Sequence, residues 1–408
     1  MKKLKILTIL NDHLLPITNG YNLRIFNLLS RLVDEFDIDV ICYAYQDIKC
    51  TEMLNIFKSV TTCKKDVKSK ESSNYKKLQC FNVLWPSQKI APSSYSLFDE
   101  ALDNIIKHKV KENKYDAILS FGANNHIFYL SQYKVDNIIC DVIDSSSLLL
   151  HSLIKKTSTG SKGWALAWAK FIYNIAWEKK YLNNCKGFIT ISDLDRQWQR
   201  RSVNSQKIYV IGNGVDLDYF SPKFVNPGTD KNLIVFTGVM DYEPNYDAMI
   251  YCIQEIWPLI LSKNPKARLK IVGRNPKAEL VEIGKKANNV EITGEVNDMR
   301  EALKGARIFI CPMRIGAGMK NKIIESLSMG IPVLVNQKAV EGVEFPNGKV
   351  GYIVNDIHEI PDLISQLISN DAGWAILSKN ARRFCIDHFN WNDKAHQLAE
   401  TIKLIILS

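Results

Sequence analysis

Short apolar runs alternate with segments of helical period along most of the chain. Lys5–Leu10 is such a run; the polar loop Asn11–Gly20 follows it, and a segment with apolar residues at helical spacing comes next. Strands that alternate with helices predict a parallel, doubly wound α/β sheet. The strands predicted after the first are Asp39–Tyr43, Ala117–Ser120, Asn137–Val142, Gly187–Ile191, Lys207–Ile211, Leu233–Thr237, Leu269–Val272, Val290–Thr293, Ile308–Cys311 and Pro332–Val335.

The alternation occurs twice, which predicts two Rossmann-like sheets in tandem, joined near Gly214–Gly228. A length of 408 residues also exceeds what one ordinary core accommodates. Residues 44–95 are poorly patterned, and the lysine-rich stretch Cys63–Lys77 is interpreted as a surface excursion. Two amphipathic helices, Ala372–His388 and Trp391–Ile406, are predicted at the end.

The net charge of +10 lies entirely in residues 1–215, which hold 30 basic and 20 acidic residues; the remainder holds 23 of each. This asymmetry is typical of contact with an anionic partner, either nucleic acid or an acidic membrane, but solvated lysine-rich faces would produce it equally. No apolar run approaches the ~18 residues of a membrane span, and the N-terminus does not resemble a signal peptide. Nine cysteines without a CxxC pair indicate neither disulfides nor zinc, and favour a reducing cytoplasm.

Several classes of chemistry lack their motifs. The chain contains no GxGxxG, Walker, HExxH or GxSxG sequence, which disfavours dinucleotide, P-loop, zinc-protease and serine-hydrolase chemistry. Three DxD spacings, Asp37/Asp39, Asp193/Asp195 and Asp216/Asp218, could hold a divalent metal. So many acidic residues produce such spacings by chance, and Asp193 is interpreted as a helix cap, so we predict no metal site.

The stretch from Cys311 to Val333 carries the most specific pattern. A buried strand ends at Pro312, a glycine loop follows, and a helix is predicted from near Met319. Small residues let backbone amides approach an anion at the positive end of a helix. Lys322 and Glu325 share one helix face, so the lysine can neutralise a phosphate while the carboxylate accepts hydrogen bonds from a ribose. The alternative is an ordinary strand–turn–helix with a surface Lys–Glu pair.

This stretch resembles the nucleotide-sugar segment of retaining GT-B glycosyltransferases of family 4 (glycosyltransferase group 1), in particular bacterial exopolysaccharide sugar transferases. The supporting segments are Asn213–Asp216, Val235–Asn245, Ile271–Pro276 and Ile292–Asp298, in the family's order. The resemblance implies a GT-B fold of two domains that face each other across a cleft. An acceptor-side domain would span 1–214, with a helix at about 390–408 packed on it, and a nucleotide-sugar-binding domain would span 215–389.

The implied activity is retaining transfer of a hexose from a nucleotide-diphosphate sugar to a glycan or lipid-linked acceptor in bacterial surface polysaccharide synthesis. Neither metal nor cofactor would be required. The enzyme would be cytoplasmic and could make peripheral contact with the anionic inner membrane. No nucleic acid would be bound. A GT-B nucleotide-sugar 2-epimerase is the nearest alternative. A basic nucleic-acid-binding protein is another, although no recognition module supports it.

The resemblance also assigns roles to individual residues. Lys322, Arg314 and Glu325 would be catalytic, the first two on the diphosphate and the third on the ribose. The implied donor-binding residues are Gly20, Gly238, Gly273, Arg274, Gly294, Val296, Gly316, Ala317, Gly318 and Lys320. The acceptor or sugar contacts would come from Arg24, Asn124, His126 and Asp144. His126 also fits an exposed loop, and Asp144 also fits a helix cap.

The chain departs from the family pattern at three positions. Val239 and Pro244 stand where many relatives place an Arg and a Lys, and Gly318 stands where the common EX7E pattern places a glutamate. Arg314 and Lys320 are expected to substitute for the missing cations. Glu178 matches a glutamate of relatives and lies among Trp164, Trp168, Phe171, Ile172 and Ile175, a stripe that fits either core packing or a membrane wedge.

Overall fold

In the computed structural model, the chain divides into two compact units. Unit 1 comprises Met1–Gly212 and Asn392–Ser408, and unit 2 comprises Asn213–Trp391. The structure describes residues 3–17, 19–44, 51–64, 99–122, 127, 130, 131, 133, 135–316 and 319–408. The lysine-rich stretch Cys63–Lys77 is outside these residues beyond its first two positions.

Unit 1 is built on a seven-stranded sheet of order β3-β2-β1-β4-β5-β6-β7, in which all pairs are parallel. Its strands are β1 Leu4–Leu10, β2 Phe36–Tyr43, β3 Ser59–Cys63, β4 Ala117–Phe121, β5 Ile138–Ile143, β6 Gly187–Thr190 and β7 Ile208–Val210. The central strands are nearly continuous apolar runs, because helices cover both faces of a parallel sheet.

The helices of unit 1 connect these strands as crossovers. They are α1 Gly20–Leu32, α2 Thr51–Leu54, α3 Glu100–Glu112, α4 Ser146–Lys156, α5 Lys162–Tyr181 and α6 Asp193–Gln199, with 3₁₀ turns at Leu182–Asn184 and Ser205–Lys207. The C-terminal helix (Trp391–Leu407) also packs here: Ile405 lies against Gly187, and Lys403 pairs with Glu35.

Unit 2 contains a six-stranded parallel sheet of order β10-β9-β8-β11-β12-β13. Its strands are β8 Leu233–Thr237, β9 Arg268–Val272, β10 Val290–Gly294, β11 Ile308–Cys311, β12 Val333–Val335 and β13 Gly351–Ile353. Two doubly wound parallel sheets confirm the fold class that the alternating pattern predicts.

The helices of unit 2 are numbered on from those of unit 1. They are α7 Pro222–Val225, α8 Glu243–Tyr251, α9 Trp257–Lys263, α10 Ala278–Lys286, α11 Met299–Ala302, α12 Asn321–Ser328, α13 Ile360–Ser369, α14 Asp371–His388 and, at the return to unit 1, α15 Trp391–Leu407. A π-helical turn, Cys252–Ile256, joins α8 to α9, and a 3₁₀ turn, Ile357–Glu359, precedes α13.

Two edge strands, β3 and β13, were not predicted from the sequence. β3 has the sequence SVTTC and only its last residue is buried, so it presents almost no apolar alternation. β13 has three residues and begins at Gly351, which is too short for a periodic signal. Edge strands pair on one side only, and their sequences are therefore less strongly constrained to be apolar.

The order of strands locates a crevice in each sheet. Strand order reverses direction between β1 and β4 in unit 1, and between β8 and β11 in unit 2. Doubly wound folds bind ligands at the carboxyl ends of the strands at such a point. In unit 2 these ends lead into Gly238 and into the glycine loop after Cys311.

Within the described residues, no helix is both long and apolar enough to cross a bilayer.

Candidate functional site

The loops after β8 and β11 bring Gly238 and Lys322 together at the carboxyl edge of the unit 2 sheet. A Cβ atom at Gly238 would lie only 2.8 Å from Lys322 Nζ and 2.6 Å from Asn245 Nδ2. The absence of a side chain at Gly238 therefore makes room for the ammonium group. Gly238 and Lys322 follow the two strands that flank the reversal of strand order, where a ligand is expected.

Lys322 is held by a neutral partner. Its Nζ donates to Asn245 Oδ1 and lies 4.4 Å from the centroid of the Phe236 ring. Asn245 is oriented in turn by a 2.9 Å bond from its Nδ2 to the carbonyl of Val239. Asn245 directly follows Pro244, and its amide orients a cation that comes from another helix.

Burial changes the proton affinity of both ionisable groups on α12. Desolvation lowers the pKa of Lys322 to about 8, and it raises the pKa of Glu325 to about 7. Attraction between the two charges opposes both changes. A lysine in this state gains much from a bound anion, because the anion compensates the lost hydration.

The strand ends beneath this cluster are packed too tightly for side chains. Gly273 has a φ of +152°, and a Cβ there would lie 1.6 Å from the carbonyl oxygen of Gly238. The amide of Gly273 donates to the carbonyl of Gly294, which has a φ of +73° and open space around it. These glycines therefore serve different purposes: Gly273 permits close backbone contact, while Gly294 permits a left-handed turn at an open surface.

The loop that precedes α12 approaches the start of α8. A Cβ at Gly316 would lie 3.4 Å from Pro244 Cβ and 3.7 Å from Lys320 Cε. Lys320 stands at the N-cap of α12, and a lysine side chain has no acceptor with which to cap the helix amides. Ala317 and Gly318, predicted to bind the donor through their amides, are outside the described residues.

Arg314 forms an ion pair with Asp247. Its Nε and Nη2 donate to the two carboxylate oxygens of Asp247 at 3.0 and 2.6 Å, and the guanidinium lies 4.5 Å from the Tyr251 ring centroid. Its side chain is about half exposed. Asp247 already neutralises much of the charge of the guanidinium, and the diphosphate contact of Arg314 stays a prediction.

The remaining predicted donor contacts of unit 2 follow β9 and β10. Arg274 is half-buried, and its carbonyl accepts from the amide of Met240 at 2.9 Å. Val296 is half-buried in the turn after Gly294. Both residues therefore lie after strand ends of the same sheet edge as Gly238, and their donor-binding roles stay predictions.

In unit 1, Arg24 lies in the interior, although the sequence suggested an acceptor or sugar contact. Its Nη2 donates to Asp141 Oδ2 at 2.8 Å and to the carbonyl of Ile211 at 2.9 Å, and Nη1 donates to the carbonyl of Gly212. Both side chains are buried, and burial raises the pKa of Asp141 while Arg24 opposes the rise. Arg24 is thus corrected to a structural ion pair that binds α1 to β5 and to the chain beyond β7.

Of the other predicted residues of unit 1, the structure describes Gly20 and Asp144, and both are exposed. Gly20 is the exposed first residue of α1, whose N-cap Asn19 accepts from Asn22 N at 3.0 Å. Asp144 is exposed after β5, and Ser145, not Asp144, caps α4. Asn124 and His126 are outside the described residues.

Glu178 is buried in a cluster of neutral polar groups. Its Oε1 accepts from Asn174 Nδ2 at 2.8 Å, and its Oε2 accepts from the hydroxyls of Ser202 and Ser147. Burial raises its pKa. The partners come from α4, α5 and the segment after α6, so Glu178 joins these helices and is a structural residue of unit 1.

The aromatic stripe on α5 is half-buried. Trp168 meets Trp164 and Phe171 edge-to-face, and Phe171 also meets Trp198 of α6. These contacts join the rings to one another and to α6, while each of the three side chains keeps part of its surface exposed. Ile172, next to them in sequence, is 63% exposed.

The three DxD spacings serve local structure. Asp39 accepts from Ser59 Oγ and Tyr115 OH, Asp195 accepts from Ser145 N, and Asp216 accepts from two amides of its own turn. Ser192, not Asp193, caps α6. In the ranges that the structure describes, no three His, Cys, Asp or Glu residues come together as a metal site would require.

Three partner residues of the predicted site residues were not predicted from the sequence: Asn245, Asp247 and Asp141. Asn245 gave no motif signal except its place beside Pro244, and Asp247 gave none. Asp141 offered a weak one: it is a single acid inside the apolar strand Ile138–Ile143, and a charge at such a position requires a buried counter-ion.

Comparison with known proteins identifies a family match in unit 2 and similar proteins for much of the chain. Residues 231–370 match the family described as glycosyl transferases group 1. An Escherichia coli UDP-Gal:alpha-D-GlcNAc-diphosphoundecaprenol alpha-1,3-galactosyltransferase is 24% identical over 301 residues, which is 69% of this chain and 73% of that protein. A phosphatidyl-myo-inositol mannosyltransferase of Mycobacterium leprae is 24% identical across 57% of this chain and 62% of its own length.

Among solved structures, Anabaena HepE in complex with UDP and glucose has a TM-score of 0.64 at 14% identity, covering 97% of this chain and 99% of the other. Likeness at this level shows the fold, which is GT-B.

Proposed function

We propose that this chain, whose residues 231–370 are a glycosyl transferases group 1 domain in a GT-B fold, transfers a hexose from a nucleoside-diphosphate sugar to a glycan or lipid-linked acceptor. Retention of anomeric configuration and a place in bacterial surface polysaccharide synthesis are parts of the proposal. They rest on the family resemblance of the segments around Gly238, Gly273 and Lys322.

The observation that carries the proposal is the state of Lys322. A half-buried ammonium with a neutral partner, Asn245, points at the space that the absent side chain of Gly238 leaves open. Its charge has lost hydration without gaining an acidic hydrogen-bond partner. A diphosphate at this edge of the sheet supplies the missing negative charge.

The chemistry follows from the leaving group. Cleavage of the sugar–phosphate bond leaves the bonding electron pair on the nucleoside diphosphate, so negative charge grows on that oxygen in the transition state. Lys322 and the N-terminal amides of α12 stabilise that charge, an effect that is large because these donors are already in position. Glu325, ionised, accepts hydrogen bonds from the ribose hydroxyls and holds the nucleotide in register.

The acceptor class rests on relatives and on charge. One relative is named for a diphosphoundecaprenol acceptor and another for phosphatidylinositol, and both molecules are anionic lipids. The excess of basic over acidic residues within 1–215 suits peripheral contact with an anionic membrane. We place the enzyme on the cytoplasmic face of the inner membrane; its seven described cysteines, all buried and none of them in a disulfide, agree with a reducing compartment.

Thermal shift against a panel of nucleoside diphosphates and their hexose conjugates tests donor binding. A true donor at a hundredfold its dissociation constant stabilises the protein by about 2.7 kcal/mol. The base and sugar that give the largest shift identify the donor. A panel that leaves the melting temperature unchanged throughout contradicts the proposal.

Steady-state kinetics of two variants separate phosphate from ribose recognition. Lys322→Ala removes charge where transition-state charge exceeds ground-state charge, so it lowers kcat by about 10²-fold or more. Glu325→Gln weakens a charge-assisted hydrogen bond, so donor affinity falls by about 1–2 kcal/mol.

The matched control for this pair is Lys286→Ala, which breaks an exposed Lys–Glu pair on another helix of the same unit. We expect it to retain parental kinetics. Normal turnover by both α12 variants would show that the helix is structural. A melting temperature far below that of the parent in both would assign the pair to the core.

A further inference from the structure

The helical hairpin α4–α5, residues 146–181, carries an unusual charge distribution. It contains six lysines, and Glu178 is its only acidic residue. Glu178 is 1% exposed and already bonded inside unit 1, whereas Lys155, Lys162, Lys179 and Lys180 are exposed. The outer surface of this lysine-rich hairpin therefore carries positive charge without an acidic residue beside it in the hairpin.

The same hairpin exposes large apolar side chains. Leu149 and Leu153 of α4 are 54% and 48% exposed, and Leu166 and Ile172 of α5 are also exposed. Leu149 and Leu153 are four residues apart, so they share one face of α4. His151 packs on Phe171 and Trp198, and it lies about 200° around the helix from Leu149. The two leucines thus lie on the side of α4 that faces away from the other helices.

Together these features fit one kind of partner. Exposed leucine and isoleucine beside lysines, with the half-buried Trp164 and Trp168 in the same hairpin, is the composition of helices that lie in the interface of a bilayer. Lysines add about 1 kcal/mol each near an anionic lipid surface. A nucleic acid would use the lysines but leave the leucines in water.

We propose that the lysine-rich hairpin seats unit 1 on an anionic lipid surface, with Leu149, Leu153 and Ile172 entering the headgroup region. This inference rests on the proposed function, because a lipid-linked acceptor would require the enzyme to bind at a membrane. The contact is peripheral and reversible, because three partly exposed side chains bury too little apolar area for permanent anchoring.

Co-sedimentation of the full chain with vesicles tests this surface. We expect binding to phosphatidylcholine vesicles that contain phosphatidylglycerol, little binding to phosphatidylcholine alone, and loss of binding at high salt. The triple variant Leu149→Ser, Leu153→Ser, Ile172→Ser should bind at least about tenfold more weakly, the equivalent of two methylene groups withdrawn from the bilayer.

Ile376→Ser is the matched control, because Ile376 of unit 2 is 62% exposed and Ile172 is 63% exposed. The control should bind like the parent and melt like the parent. If the triple variant melts at a lower temperature, the single change Ile172→Ser, compared with Ile376→Ser, decides instead.

Three results would overturn the inference. The first is equal binding of the parent to neutral and anionic vesicles, and the second is parental binding by the Ile172→Ser variant. The third is a change of oligomeric state in solution caused by the triple variant, which would show that a second copy covers this face. The nucleotide-induced thermal shift is measured on the same proteins. Its absence in the parent defeats the proposed function and leaves the vesicle result standing, so the two failures are distinguishable.

Discussion

At the scale of single residues, the site in unit 2 is governed by desolvation. The ammonium group of Lys322 has lost hydration and contacts the amide oxygen of Asn245 and the ring face of Phe236 instead. Neither of these two side chains carries a formal charge. Arg314, by contrast, is matched by Asp247 and keeps much of its contact with solvent. Two cations that look alike in the sequence therefore differ in what a phosphate would gain from them. The hydrogen-bond partner of Arg314 is a carboxylate, whereas that of Lys322 is a neutral amide.

This difference predicts a bell-shaped pH dependence of kcat/KM. Glu325, with a pKa of about 7, is protonated below that pH and no longer accepts both ribose bonds. Lys322, with a pKa of about 8, loses its charge above that pH and no longer attracts the diphosphate. The rate should therefore be greatest between about pH 7 and 8, with limbs that belong to the coupled pair.

Pseudo-first-order rates measured across this range in Lys322→Ala should show the acidic limb alone. The diphosphate of a nucleotide sugar does not itself titrate there, so an alkaline limb that persists in this variant assigns the titration to another group. Lys286→Ala should retain both limbs, since Lys286 lies on the exposed side of α10.

At the scale of elements, the carboxyl ends of β8 and β9 are joined by backbone alone. The amide of Gly238 donates to the carbonyl of Val272 at 3.0 Å, and the amide of Gly273 donates to that of Gly294. This contact leaves no volume for a side chain at Gly273, and it places Gly238 directly below Lys322. The position of the ammonium thus depends on how closely the two strand ends approach each other.

Gly273→Ala should therefore lower the free energy of unfolding by more than about 3 kcal/mol, because its Cβ would overlap the carbonyl oxygen of Gly238 and only backbone movement relieves the overlap. Gly348→Ala is the control: its φ is +77° and nothing lies near its Cβ, so it reports backbone strain alone, about 1–2 kcal/mol. Equal losses in the two variants, measured by urea unfolding, would show that the strand ends can separate at little cost.

At the scale of the whole molecule, the two units differ in composition as well as in sheet order. The positive charge is confined to the part of the chain before residue 215, while the rest is electrically balanced and contains the matched family segment. A balanced unit can bind an anionic donor through a few positioned groups, and a basic unit suits an anionic acceptor surface. Sugar transfer by the complete chain should then depend on fixed protein charges alone.

Turnover should accordingly persist in EDTA once donor and acceptor are identified. Lys322 and the amides of α12 would supply the charge that a divalent ion supplies in other enzymes. The measurement is the initial rate after dialysis against EDTA, before and after addition of Mn²⁺ or Mg²⁺. A rate that falls and is restored by metal would return attention to acids such as Asp216 and Asp218.

Much of the fold was accessible from local pattern. β8 and β11 begin and end at the residues that the apolar runs predicted, because strands buried on both faces are continuous apolar segments. The turn after β11 and the shared face of Lys322 and Glu325 are local as well, since both follow from spacing within one helical turn. The confinement of charge to residues 1–215 also needs no structure to be seen.

The sequence by itself thus determined the two parallel sheets, the glycine loop after β11 and the helix face that carries the Lys–Glu pair. Only the tertiary structure decided which partner each charge meets. Arg24 pairs with Asp141 across 117 positions, and Lys322 meets Asn245 across 77. The periodicity of apolar residues indicates which face of a single element is buried. The partner of a charged side chain, in contrast, depends on which distant elements the fold brings into contact. For that reason Arg24 became a structural residue, while Lys322 kept a charge available to a ligand.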